Sequence, residues 1–248
     1  MTFSASANDM YQYIDFNRPD MVEAEMTREK LIDLLAATQW NQRPDLRDKN
    51  LSGLNLSGVD FLGADMQWTR LNGTDLRGAN LSGVNLNQAW LMDANLERAS
   101  LFGASLLSTQ MPNANLRYAR LDGARINANL DRADLTGASF AKASLGSDTR
   151  GRAIWRYATS LEGVIADGAD FRQADLRGVK AEYASLREAL LDEADFTGGL
   201  LGGADLTGAS VVRLNLTGVD VDSAKLILLR GDVIGFDAAL NIHRAITH

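Results

Sequence analysis

Residues 74–98 read TDLRG ANLSG VNLNQ AWLMD ANLER, five blocks of five with a leucine at the centre of each. Leu76, Leu81, Leu86, Leu91 and Leu96 are each preceded two places earlier by a small or β-branched residue, and mostly by Asp or Asn one place earlier. The same spacing runs back through Leu71, Met66, Phe61, Leu56 and Leu51, and forward through Leu101, Leu106, Met111, Leu116, Leu121 and Ile126. A helix repeats its buried face every 3.6 residues and a strand every 2, so a sustained period of five fits neither.

A repeat this short has to be stacked. Four blocks make a square rung of about twenty residues, and successive rungs lie about 4.8 Å apart with backbone hydrogen bonds between them. Strand alternation then points the central Leu or Phe and the residue two places before it inward. The second of these must be small, because a narrow square interior has no room for two large side chains per block. Ala64, Ala79, Ala94, Ala104, Ala114, Ala119 and Ala124 meet that demand.

The blocks ANLSG (79–83), ANLER (94–98), ADLTG (133–137) and ADLRG (174–178) resemble the A(D/N)LXX consensus of pentapeptide-repeat proteins. The resemblance covers residues 46–226. It implies an all-β solenoid, a right-handed quadrilateral β-helix, and leaves the function open, because one scaffold carries several unrelated roles.

Three regions follow: an N-terminal arm and capping helix over 1–45, the β-helix over 46–226, and a C-terminal cap or dimerisation tail over 227–248. Thr27 is placed to cap a helix over 27–40 that puts Leu31, Leu34, Leu35 and Thr38 on one face, to cover the first rung. The apolar tail after Leu226 covers the last rung or pairs with the same tail of a second chain, giving a homodimer.

The period is broken twice. Its centre steps from Ile126 to Leu130, one residue short, and then continues through Leu135, Phe140 and Leu145. Residues 146–160, GSDTRGRAIWRYATS, lose it before Leu161 resumes in a new phase. Either a loop projects there, or one rung is distorted with Trp155 at its centre. Breaks in a regular solenoid are where function is sought.

Charge divides unevenly. Residues 1–50 carry nine acidic and six basic side chains, 51–145 eight of each, 146–160 one acidic and three basic, and 161–248 fourteen acidic and eight basic. No apolar run approaches the eighteen or so residues of a membrane span, and the first twenty residues lack the basic and apolar parts of a signal peptide, so a cytoplasmic protein is expected.

Raw material for catalysis is scarce. There are no cysteines, and the two histidines, His243 and His248, sit in the tail, so no thiolate, His triad or His metal cluster is expected, nor any cofactor. The Asx residues before each centre are explained by the repeat. On the second face, counting from Leu51, they form a column of Asn55, Asp75, Asn95, Asn115 and Asp134, able to hydrogen-bond in register. The glycines at 198, 199, 202 and 203 lack the Lys-Ser/Thr of a phosphate loop and read as corner residues.

Outward apolar residues depart from the polar expectation: Leu62, Trp68, Trp90, Met92, Phe102 and Leu107. An exposed apolar patch marks a partner or a packed segment. The N-terminal arm, with Met10, Tyr11, Tyr13, Ile14 and Phe16, is one candidate to cover it.

The expected function is therefore a non-enzymatic scaffold for protein–protein interaction, bound through its flat faces and the 146–160 segment. Arg150, Arg152, Trp155, Arg156, Tyr157, Trp90 and Phe102 are the candidate anchors, being of the types that dominate interfaces. The resemblance supplies an alternative, since some members mimic B-form DNA and protect DNA gyrase or topoisomerase IV from quinolone-type poisons. Against it, a duplex carries one charge per roughly 1.7 Å, whereas residues 51–145 are neutral. The gyrase-protecting members also favour Cys at the small position and Phe at the centre, where this chain uses Ala and Leu. In neither reading does the chain bind nucleic acid or membrane directly.

Overall fold

The computed structural model describes residues 18–39, 41–146 and 158–247. Its backbone forms a four-sided coil in which each block pairs in parallel with the block one rung later. Asn55 pairs with Asp75, Asp75 with Asn95 and Asn95 with Asn115, a step of twenty residues. We number the faces by their inward centres: the first carries Leu51, Leu71 and Leu91, the second Leu56, the third Phe61 and the fourth Met66.

Two hydrogen bonds define each side. The Leu76 N–H donates to Asn95 O (2.7 Å) on the next rung, and the Asp75 N–H donates to Leu54 O (2.9 Å) on the rung before. A third closes each corner, as where the Ala79 N–H donates to Leu76 O (3.0 Å). The corner residue takes a left-handed backbone, with φ of 62° at Gly78 but also 58° at Trp68 and 57° at Tyr118. Glycine adopts that conformation without strain, and the other residues carry a modest penalty that the surrounding ladder holds in place.

The core is one continuous column of centres and small residues. Leu51, Leu76, Leu96, Leu116 and Leu216 are fully buried, as are Ala64, Ala94, Ala114 and Ala204. Phe140 and Phe171 stack on consecutive rungs with ring centroids 4.9 Å apart and planes 11° from parallel. Where the small position holds threonine, its hydroxyl is satisfied by the rung before: Thr69 donates to Leu46 O (2.9 Å), Thr74 to Leu51 O (3.0 Å) and Thr109 to Leu86 O (2.9 Å). A buried hydroxyl left without a partner would be destabilising, and these three are not.

Both irregularities fall at the corner between the fourth and first faces, on successive rungs. The first sits where strand β1 (Ser105–Gln110) pairs with β2 (Arg125–Asn129): Leu107 faces Asn127, yet Gln110 faces Asn129. The corner of the later rung is one residue short. On the next rung Asn129 pairs with Ser160, 31 residues on against the usual 20, so eleven residues are surplus there. Residues 147–157 number eleven and lie outside the described residues.

Inward centres on either side of this break are Leu145 and Leu161, whose neighbours Ser144 and Ser160 pair on to Asp175 and Lys180. All four sides of the rung are thereby assigned among the described residues, and Trp155, offered above as the centre of a distorted rung, lies outside them. Thr159, fully buried, bridges the two irregular corners. Its hydroxyl lies 2.8 Å from Leu145 O and 3.2 Å from Ile126 O, the two carbonyls at the starts of the long and the short corner.

Helix α1 (Pro19–Val22) and helix α2 (Arg28–Ala37) precede the coil. Thr27 begins α2, with its Oγ1 accepting from the Lys30 N–H at 3.4 Å. Leu31 and Leu35 are buried in the same core as Leu46 and Leu51, and Leu34 packs against it partly exposed. Arg28 ties the helix to the first rung, donating to Asn55 O (2.6 Å) and Ser57 O (3.1 Å).

Pairing does not end at Leu226. Ser210 pairs with Arg230, Asn215 with Ile234, Asp220 with Leu240 and Lys225 with Ile246, so the tail winds one further rung. Its corners are short 3-10 turns at Phe236–Ala238 and Ile242–Arg244. Steps of 19, 20 and 21 residues replace the even twenty, which is why the period of five is not visible there. No helix among the described residues is long and apolar enough to cross a membrane.

Candidate functional site

Outward chemistry differs from face to face. On the second face the column Asn55, Asp75, Asn95, Asn115 and Asp134 is as the register requires. Asn115 Nδ2 donates to Asn95 Oδ1 at 3.1 Å, the in-register amide bond. The more general role of these side chains is local. Each accepts from the backbone N–H two residues on, at 3.1 Å for Asn55, Asp75, Asn95 and Asn115 and 2.9 Å for Asp134. An Asx side chain that mimics a backbone turn in this way stabilises the corner and is occupied in doing so.

Many carboxylates in these columns are also ion-paired. Arg47 meets Asp45 at 2.7 Å, Arg77 meets Asp75 at 2.7 Å, Arg172 meets Asp170 at 2.6 Å and Arg177 meets Asp175 at 2.6 Å, all two residues apart in one block. Arg117 and Asp134 pair across rungs at 3.0 Å, and Arg187 and Asp167 at 2.6 Å. The guanidinium of Arg47 holds the Asp45 carboxyl down at about 2. Asp75 is lowered by its bond from Arg77. At Asp134 burial pushes upward, and the bonds from Thr136 and Arg117 outweigh it.

The first face is built differently. Its outward column before the centres reads Asn50, Arg70, Trp90, Gln110, Asn129, Ser160 and Lys180, and the column after them Ser52, Asn72, Met92, Pro112, Asp131, Glu162 and Glu182. The middle of these columns, from Trp90 and Met92 through Gln110, Pro112, Asn129 and Asp131 to Glu162, lines a groove of about 490 Å³ together with corner residues Asn113, Arg132 and Tyr183. One end is apolar and the other acidic. Glu182, beside the acidic end, has its carboxyl pushed up by burial, with the charges of Glu162 and Asp131 adding to the effect and Lys180 opposing it. Its Oε2 is buried without a hydrogen-bond partner among the described residues.

Of the residues singled out from sequence, Trp90 lies in this groove and Met92 beside it. Phe102 does not: it follows the third-face centre Leu101, on the opposite side of the square, and is 54% exposed. Leu62 is on that third face too, Leu107 on the fourth and Trp68 at the corner leading from the fourth to the first. The outward apolar residues are therefore not one patch, and Trp90 and Phe102 lie on opposite faces. Arg150, Arg152, Trp155, Arg156 and Tyr157 lie outside the described residues. Asp131, Arg132, Glu162 and Tyr183 were not singled out, although counting outward positions by twenty, with steps of 19 and 31 at the two breaks, places them on the rungs that follow Met92 and Pro112. Among the described residues no group of three His, Cys, Asp or Glu is arranged to hold a metal ion.

The family model for pentapeptide repeats matches this chain over residues 45–146 and 157–226. The chain belongs to the pentapeptide-repeat family. Its coil is accordingly a right-handed β-helix solenoid. No curated protein matches it. Similar solved structures include HetL of the cyanobacterium Nostoc sp. strain PCC 7120, a pentapeptide repeat protein involved in heterocyst differentiation regulation. It is 26% identical over 90% of this chain and 100% of its own, with a TM-score of 0.49. Rfr23, from the cyanobacterium Cyanothece 51142, is 21% identical over 48% of this pentapeptide-repeat chain and 87% of its own, with a TM-score of 0.39. QnrB1, a plasmid-mediated fluoroquinolone resistance protein, is 20% identical over 79% and 95%, with a TM-score of 0.34. None superposes closely enough to bring a function with it.

Proposed function

We propose that this pentapeptide-repeat protein is a non-enzymatic scaffold that binds a protein partner through its first face and the adjoining 146–160 segment. The observation that carries this reading is the groove from Trp90 to Tyr183, which lies beside the corner where the chain holds eleven surplus residues. Those residues include Arg150, Arg152, Trp155, Arg156 and Tyr157, types that anchor interfaces. Helix α2 serves as the cap of the first rung, burying Leu31 and Leu35 over it, and the tail rung serves as the cap of the last. That final rung exposes Leu228, Ile234, Leu240 and Ile246 around an apolar cross-section, a surface suited to the same rung of a second copy in a homodimer.

Binding to DNA gyrase as a DNA mimic is the weaker reading. Mimicry needs a dense line of uncompensated charge. Here the Asp-x-Arg pairs set a guanidinium against carboxylates on the second, third and fourth faces.

Affinity capture with the intact protein, a variant lacking 147–157 and Trp90→Ala tests the scaffold. The intact protein should retain a defined partner that both variants lose, with circular dichroism and melting of the deletion variant unchanged, because removing eleven residues restores the twenty-residue step. Retention of the same partner by a folded deletion variant would sink the reading. A gyrase supercoiling assay with ciprofloxacin separates the two, with neither protection nor inhibition expected at micromolar protein.

A further inference from the structure

The chain approaches the groove from its N-terminal side. The Glu25 N–H donates to Asn50 O (2.9 Å), Asn50 Nδ2 donates to Glu23 O (2.6 Å), and Asn72 Nδ2 donates to Met21 O (3.3 Å). Met21 is 8% exposed. Followed towards the N-terminus, the backbone thus climbs the first face from the rung of Asn50 to the rung of Asn72. The next positions on that same face are Trp90 and Met92, and above them Pro112, the apolar end of the groove.

Seventeen residues precede Arg18, and they carry Phe3, Met10, Tyr11, Tyr13, Ile14 and Phe16 with no Lys, Arg or His. We propose that the arm of residues 1–17 docks on the first face through Phe16 and Ile14, which lie against Trp90, Met92 and Pro112. In an extended segment these two side chains share one side about 6.6 Å apart, close to the spacing of neighbouring rungs, while Tyr13 takes the other. Reach is ample: seventeen extended residues span up to about 56 Å. The rungs of Met92 and Pro112 are only about 4.8 Å apart.

Charge limits how far the contact runs. Asp9 and Asp15 are the arm's only charged side chains, and among the described residues the far end of the groove holds Asp131 and Glu162 against the single cation Arg132, a net negative charge. The arm therefore occupies the apolar end and stops short of the acidic one. This placement stands or falls independently of whether a partner binds.

The chain has no cysteine, so disulfide trapping reads the contact without interference. Ile14→Cys combined with Met92→Cys should close an intramolecular disulfide under mild oxidation. Ile14→Cys combined with Phe102→Cys, on the opposite face, should give at least about tenfold less, because a docked segment has a high effective concentration at its own site. Equal yields, or no disulfide with either pair, would overturn the proposal. So would a first-pair disulfide formed only between two chains, or Met92→Cys closing preferentially with Ile154→Cys, which would seat the 147–157 segment in the groove instead. As a second measurement, Trp90→Ala should speed chymotrypsin cleavage at Tyr11, Tyr13 and Phe16 by about tenfold, as cleavage follows the undocked population. Phe102→Ala should leave it unchanged, and equal cleavage in the two variants would count against docking.

Discussion

The first and second faces share one backbone and one core, yet they spend their outward side chains differently. On the second face Asn55, Asp75, Asn95, Asn115 and Asp134 each hold a corner N–H, and Arg77 and Arg117 are taken up by Asp75 and Asp134. On the first face the equivalent positions include Arg70, Trp90, Gln110, Ser160 and Lys180, and a groove results. A corner survives without its Asx because the backbone bond from the small residue still closes it, as where the Ala94 N–H donates to Leu91 O (3.2 Å) beyond Trp90. The consensus is thus a preference that a face can give up, and where the first face does so its outward columns line a groove.

The division between core and face is the first thing to try to break. Phe171→Ala removes a side chain that is 1% exposed and stacked on Phe140, and should cost about 3–5 kcal/mol in chemical denaturation. Trp90→Ala, a larger truncation on an outward column, should cost about 1 kcal/mol. Equal losses would mean that the first face is part of the core and not a surface.

Next comes the corner where the two irregularities stack. Thr159→Val is nearly isosteric but leaves Leu145 O and Ile126 O without their shared hydroxyl, and should cost about 1–3 kcal/mol. Thr74→Val, which withdraws a hydroxyl from Leu51 O alone on a regular rung, should cost about 1 kcal/mol in the same measurement. If Thr74→Val costs more, the Thr159 bridge is incidental to holding the broken corner.

The inward half of this architecture is legible in the sequence because the core imposes one rule on nearly every block: a large centre with a small or β-branched residue two places before it, Leu54 and Leu214 being exceptions. The one-residue deletion before Leu130 shows in that rule directly. Which outward residues meet is a different question, since the position within a block settles only in or out. The face depends on the running count by twenty, corrected by one at residue 127–129 and by eleven after Gly146. That is why Trp90 and Phe102, twelve apart, read as one patch and lie on opposite sides, whereas Met92 and Glu162, seventy apart, line one groove. The tail rung is hidden for another reason: its corners are 3-10 turns of uneven length, so its inward residues keep no fixed period.

The paired carboxylates of the second and fourth faces should show in the pH dependence of stability. Asp45 titrates at about 2 and Asp75 below its usual value in the folded protein. A carboxyl whose folded pKa is depressed contributes stability above its unfolded pKa and loses it as pH falls through the folded value. The melting temperature should therefore decline as pH falls from about 4 towards 2. Asp75→Asn keeps the acceptor for the corner N–H and loses the ion pair with Arg77, so it should cost under about 1 kcal/mol at pH 7 and flatten that decline. An unchanged slope would show that the pair holds no charge-dependent stability.

On the first face the sign reverses. Glu182 is pushed up by burial and by Glu162 and Asp131, so its contribution is most favourable when it is protonated and is lost as pH rises through its folded pKa. Glu182→Gln removes that penalty while keeping the shape. It should raise stability at pH 7 by about 0.5 kcal/mol or less, discounted because the side chain is only partly buried and solvent screens it, and leave it unchanged near pH 3. Loss of stability at pH 7 would mean that Glu182 has a cation of its own. The acidic end of the groove would then be a paired ladder like the second face, and no longer a column of like charges held beside an open surface.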